Sequence, residues 1–161
     1  MKLDTSGEKI IDESIELELN VSELYGLFYR IFKEDEDFWW TLKMEERNHA
    51  TLLKGAKDAF FQTHNFPREL VFESLQPLLD ANNDLRRMIA DFSKNPPSRE
   101  TAFNTAIKVE TCAGEFHFQK AMELPEGSEI LKIIQRINRD DKDHEKRIRA
   151  YMQTNKIKIL S

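Results

Sequence analysis

Two short patterns in this chain put a carboxylate three residues ahead of a histidine: Glu46-Arg-Asn-His49 and Asp141-Lys-Asp-His144. On a helix, residues three apart share a face, so each pair presents one carboxylate and one imidazole side by side. Only four histidines are present, and two of them fall in such pairs. A single pair of this kind is a weak signal in an acid-rich helical chain. These two gain weight from their surroundings, because each sits in a long apolar stripe. The first stripe runs Trp39, Leu42, Glu46, His49, Leu53, Ala56, Phe60, and the second runs Ile130, Ile134, Ile137, Asp141, His144, Ile148, Tyr151.

Two further stripes each carry one inward carboxylate. Glu18 follows Ile11 and Ile15 and precedes Val21, Tyr25, Phe28 and Phe32; Glu110 lies in the series Ala106, Glu110, Ala113, His117, Ala121. Four carboxylates and two imidazoles therefore point into one core. Buried carboxylates are costly unless paired, and four together repel one another. A purely structural set of salt-bridged acids would need buried cations, yet no Lys or Arg falls in these stripes near the six residues. Metal cations at the centre resolve the conflict. Carboxylate with imidazole suits Fe, Mn or Zn better than Ca or Cu(I), and ligand type alone does not choose among the three.

The elements that must position these groups are helices. Five Gly and five Pro in 161 residues leave room for long ones. Periodicity predicts helices over about Ser6–Lys33, with Thr5 and Glu8 as a capping box, and over Glu36–Thr63. Two more are predicted, from after the N-cap Ser98 to about Glu123, and from about Gly127 to Met152. Residues 64–98 form a long connection punctuated by Pro67, Pro77, Pro96 and Pro97, with a short helix expected over Asp84–Phe92 facing inward through Leu85, Met88, Ile89 and Phe92. Short joins make helices one and two, and three and four, antiparallel neighbours. The fold expected is all-α: a single domain over 1–161, a four-helix bundle with one long crossover. The last residues, NKIKILS, are expected to fray or to dock.

The halves also repeat. Glu18 to Tyr25 and Glu110 to His117 both read E-x4-E-x-[YH], and the carboxylate–histidine pair begins 28 residues after Glu18 and 31 after Glu110. Each hairpin would give half of a pseudo-symmetric site.

On Glu18 with Tyr25, Glu46 to His49, Glu110, and Asp141 to His144, the chain resembles the rubrerythrin branch of the ferritin-like superfamily. The resemblance covers nearly the whole length. It implies a di-metal, most simply di-iron, carboxylate protein that reacts with peroxide or O2 as an oxidoreductase. Glu18 and Glu110 would be terminal ligands, Glu46 and Asp141 bridges, and His49 and His144 one ligand per metal. Tyr25 would stand behind a carboxylate. His117 replaces the Tyr that the repeat predicts, as support or an extra ligand. Glu115 is the helix-three ligand in an alternative register. Asp141 is one methylene shorter than the family's Glu, and Ala113 stands where the family has a further carboxylate. The alternative function is a non-catalytic protein that binds or handles iron or another metal.

With no rubredoxin-like four-cysteine domain, electrons would come from a separate donor protein. Homodimerisation is expected from the family. Net charge is −5 and no basic patch dominates, so nucleic acid is not an expected partner. The mixed run Lys142–Arg149 reads as a solvated helix face. The single Cys112 excludes an internal disulfide and reads as a small buried helix residue. No apolar run approaches membrane length and no secretory pattern opens the chain, so a cytoplasmic protein without membrane contact is expected. Trp39 belongs to the core stripe, whereas Trp40 could mark an interface.

Overall fold

The computed structural model describes residues 5–63, 75–116 and 129–160. Among them the chain is all-helical. It forms α1 (Thr5–Ile31), a single 3-10 turn (Lys33–Asp35), α2 (Glu36–Thr63), α3 (Leu75–Lys94), α4 (Arg99–Phe116) and α5 (Glu129–Thr154). No described helix is long and apolar enough to cross a membrane.

α2 has the bounds read from periodicity. α1 already includes Thr5, so that residue lies inside the helix and not at its cap, and the helix ends two residues before Lys33. The connecting helix α3 is much longer than Asp84–Phe92. Pro77 sits in its first turn, where an N–H has no helical partner to lose, so it starts this helix instead of interrupting it. Leu78 and Leu85 of α3 are buried, and Met88, Ile89 and Phe92 pack at the edge of the core.

α3 is held on α1 by one fully buried amide. Asn82 donates to the Glu13 carbonyl at 2.9 Å and to Glu13 Oε2 at 2.8 Å, and accepts from Asn20 Nδ2 at 2.9 Å. Truncation would strand these partners. Asn82→Ala is expected to cost about 2–3 kcal/mol and to raise hydrogen exchange in α3 first. Denaturant melts with exchange mass spectrometry check this; an unchanged midpoint would refute it.

Ser98 caps α4 by accepting from Thr101 N–H at 3.1 Å. α5 closes with Lys156 at φ 55°. Ile157 N–H reaches Met152 O at 2.8 Å and Lys156 N–H reaches Gln153 O at 3.3 Å, the two bonds of a Schellman turn. The tail beyond is docked. Asn104 donates to Lys158 O and accepts from Leu160 N–H, both at 2.8 Å.

α1 packs along α2, α4 along α5, and α2 against α5, with α3 laid on α1. The buried side chains form two clusters. One is rich in aromatics and holds Tyr25, Phe28, Trp39, Phe103, Ile148 and Met152. The other is aliphatic, with Ile10, Leu53, Ala56, Leu131, Ile134 and Ile137. Along α1, α2 and α5 the polar stripe residues lie between the two clusters, and on α4 Glu110 follows Phe103 and Ala106 of the first.

Candidate metal centre

Each stripe carries its polar residue inward because the apolar residues around it are already buried. On α2, Leu42, Glu46, His49 and Leu53 follow one another at steps of four, three and four, and all are buried. On α5, Ile137, Asp141, His144 and Ile148 do the same. Glu18 and Glu110 are only 2% and 3% exposed. Burial of this depth for six ionisable groups is far outside what stability alone selects.

The six form two overlapping groups. Glu18, Glu46, His49 and Asp141 each offer a ligand atom, all within 4.8 Å of one another, and so do Glu46, Glu110, Asp141 and His144. Glu46 and Asp141 belong to both. The shorter Asp141 side chain therefore still reaches both halves, and each group could hold a metal ion.

Spacing within the groups bears on this. Nδ1 of His49 stands 3.2 Å from Glu46 Oε2, 3.4 Å from Glu18 Oε2 and 3.6 Å from Asp141 Oδ1. Ligand atoms around one ion at about 2.1 Å stand about 3–3.4 Å apart, so this is close to the edge length of a coordination shell. Nδ1 of His144 lies 2.6 Å from Glu46 Oε1 and 3.6 Å from Glu110 Oε1. The nearer approach has the distance of a hydrogen bond but not its direction, and His144 Nδ1, Glu46 Oε1 and Asp141 Oδ2 are buried without a hydrogen-bond partner. Orphaned buried atoms that converge on one region are what a cation would satisfy. The two imidazole rings face each other, with centroids 5.5 Å apart.

The outer edges of both rings are also engaged. His49 Nε2 is 3.4 Å from Asp140 Oδ2, and His144 Nε2 is 3.1 Å from Glu45 Oε2. Each histidine is thus met by the acid that precedes the other helix's inward carboxylate. A carboxylate at Nε2 keeps the proton there and turns the Nδ1 lone pair inward. Arg147 clamps Glu45 with contacts of 3.1 and 2.9 Å, and Arg136 lies 3.7 Å from Asp140. Glu45 and Asp140 were not singled out from sequence. Each is the outer half of a doubled acid, Glu45-Glu46 and Asp140-Asp141, ahead of a histidine, a pattern that does not itself say what the outer acid meets. Removing one should act across the centre. Glu45→Ala should weaken metal held through His144, and Asp140→Ala metal held through His49, each by about 10–100-fold. Calorimetric titration of both variants checks the crossing; equal weakening of both sites in either variant would contradict it.

Without metal the centre is electrostatically tense. Burial, and then the charge of Glu110, raises Glu46 to about 8. Burial, followed by the charges of Glu18, Glu46 and Glu110, raises Asp141 as well. Tyr25 is fully buried and donates its phenol proton to Glu110 Oε1; burial first and the Glu110 charge second hold that phenol well above its usual value.

Other sequence expectations fall differently. The Glu115 side chain and all of His117 lie outside the described residues, so Glu110 is the α4 carboxylate that the structure brings into the cluster. Cys112 is exposed and not buried, because it lies off the Ala106–Glu110 face. Trp39 is fully buried, and Trp40 is 47% exposed beside Tyr29.

No known protein family, curated protein or solved structure matches the chain. What the described residues define is an all-helical fold with a buried carboxylate–histidine cluster able to hold metal ions.

Proposed function

We propose that this chain is a ferritin-like, rubrerythrin-like di-metal carboxylate protein, with iron as the principal metal, that reduces peroxide or O2. The observation that carries the reading is the shared pair: Glu46 and Asp141 each offer an oxygen to both ligand groups, while Glu18 with His49 and Glu110 with His144 complete one group each. In this reading Glu46 and Asp141 would be ligands to both ions, Glu18 and Glu110 would each serve one, and α1, α2, α4 and α5 would be the four bundle helices with α3 in the crossover.

A bound metal pair supplies the electrons and the Lewis acidity for reducing the oxidant. The chain's own residues hold that pair and set its surroundings. Glu45 and Asp140 fix the tautomer of each histidine. Tyr25 orients Glu110. The two apolar clusters exclude bulk water. Electrons return from a separate donor protein, and the protein works in the cytoplasm as a homodimer.

Stopped-flow mixing of the Fe(II)-loaded protein with hydrogen peroxide tests the activity. Oxidation should run well ahead of free Fe(II) under the same conditions, and a rate no faster than free Fe(II) would remove the oxidoreductase reading. One observation favours a second reading, metal binding without turnover: Ala113 stands where a rubrerythrin-like site would place a further carboxylate. Tight binding with slow oxidation would support that alternative.

A further inference from the structure

The aromatic cluster next to the metal centre is connected ring to ring as far as the surface. Tyr25, hydrogen-bonded to Glu110, has its ring centroid 5.6 Å from that of Trp39. Trp39 is 4.4 Å from Phe103 and 5.5 Å from Phe38. Both phenylalanines then meet Tyr151, at 5.4 and 4.1 Å. Tyr151 is half-buried and lines a shallow surface cavity of about 380 Å³ together with Phe38, Thr41 and Arg147. Its phenol donates to Asp35 Oδ1 at 2.8 Å. Asp35 is buried and is clamped by Arg99 at 2.8 and 2.6 Å.

An ordinary aromatic core would explain the packing but not the polar details. A buried indole N–H normally finds an acceptor. Trp39 Nε1 has none, although the ring is fully buried. A tryptophan that loses an electron there keeps its proton, stays a radical cation, and remains a strong oxidant. Tyr151, two rings away, has the opposite provision, because Asp35 stands ready to take its proton. The pair is therefore arranged so that an electron moves from Tyr151 to Trp39.

We propose that Tyr151, Trp39 and Tyr25 form a relay that carries single electrons from the surface cavity to the carboxylate–histidine centre. This rests on the peroxide-reducing function proposed above. When the centre supplies only one of the two electrons that peroxide takes, Trp39 supplies the other across the Tyr25 ring. Tyr151 refills Trp39 through Phe103 or Phe38 and passes its phenol proton to Asp35. The net change is one electron from Tyr151 to the centre and one proton from Tyr151 Oη to Asp35. A small thiolate at the cavity then gives Tyr151 one electron and becomes a thiyl radical, and Asp35 returns the phenol proton. Trp39 and Tyr151 act as relay residues and not as ligands.

The outer leg can be tested without metal, so its failure is separable from failure of the metal reading. The chain has two Trp and three Tyr. In a Trp40→Phe, Tyr25→Phe background, an ultraviolet laser flash photo-ionises Trp39 alone. The tryptophan radical absorption should decay as a tyrosyl band rises, more slowly in D2O. Adding Tyr151→Phe should abolish the tyrosyl rise and lengthen the tryptophan decay. An unchanged decay in the Tyr151→Phe protein would overturn the relay. For the inner leg, Fe(II)-loaded protein with Tyr25 and both Trp in place is treated with excess peroxide and no reductant. A tyrosyl signal by freeze-quench spin resonance, lost in Tyr151→Phe and in Trp39→Phe, is expected. A signal that survives both substitutions would overturn the connection to the centre, whereas absence of bound iron would count against the metal reading alone.

Discussion

Glu46→Ala should abolish binding of both metal ions, whereas Glu18→Ala should abolish only one. Glu46 offers an oxygen to each ligand group, so its loss leaves each with three protein ligands. Glu18 belongs only to the group with His49, and its loss leaves the group with His144 intact. Asp141→Ala should behave like Glu46→Ala, and Glu110→Ala should mirror Glu18→Ala by sparing the His49 group. Each affected site should weaken by more than about 100-fold, beyond the loss expected for an outer-shell partner. Metal content of protein purified without added metal or chelator reads this directly, followed by anaerobic titration with Fe(II) or Mn(II). About two ions per chain should fall to none in the two bridging variants and to about one in the terminal ones. Equal loss in all four variants would mean that the groups do not share ligands as their geometry indicates. No metal in the wild type under any of these conditions would leave the six residues as a costly structural network, and the enzyme reading would go with it.

The same geometry shows what could be read from residues and what could not. Strict three-and-four spacing in the α2 and α5 stripes was enough to turn Glu46, His49, Asp141 and His144 inward, because Leu42, Leu53, Ile137 and Ile148 leave no other face to bury. Glu18 and Glu110 were legible through the repeat between the two halves. Glu45 and Asp140 were not. An acid beside an inward residue on a helix points about 100° away, and nothing in one helix says that it meets a histidine of another. The Tyr151–Asp35–Arg99 contact was hidden for the same reason, since it joins residues far apart in sequence. α3 is longer than its sequence suggests because Pro77 looks like a breaker, whereas a proline in the first turn is compatible with a helix. Cys112 was misplaced by residue type: small apolar residues are often buried, but position on the helix decides.

Raising the pH should destabilise the metal-free protein while strengthening its grip on metal. Burial alone would hold both imidazoles neutral. The close carboxylates of Glu18 and Glu46 outweigh it at His49, and those of Glu110 and Glu46 at His144, so both are raised from 6.5 to about 11. Glu46 is raised from 4.5 to about 8, chiefly by burial. Every one of these shifts is upward, so the folded, metal-free chain binds protons more tightly than the unfolded one. The stability they contribute is fully present below the unfolded values and is lost as pH climbs through the folded ones. The metal-free melting temperature should therefore fall steadily from about pH 5 to about pH 10. A metal ion needs the imidazole lone pairs and ionised carboxylates that those protons occupy. Loading the centre at about pH 7 should release at least two protons per pair of ions, one from each histidine, together with those still held by the raised carboxyls of Glu46 and Asp141. The stabilisation by metal, read as the difference in melting temperature with and without it, should widen as pH rises. Titration calorimetry in buffers of different ionisation enthalpy counts the protons, and paired melts across the pH range test the divergence. Binding without proton release would show that the imidazoles are already neutral, and the ion pairs that hold the empty centre together would then have to be assigned to other groups.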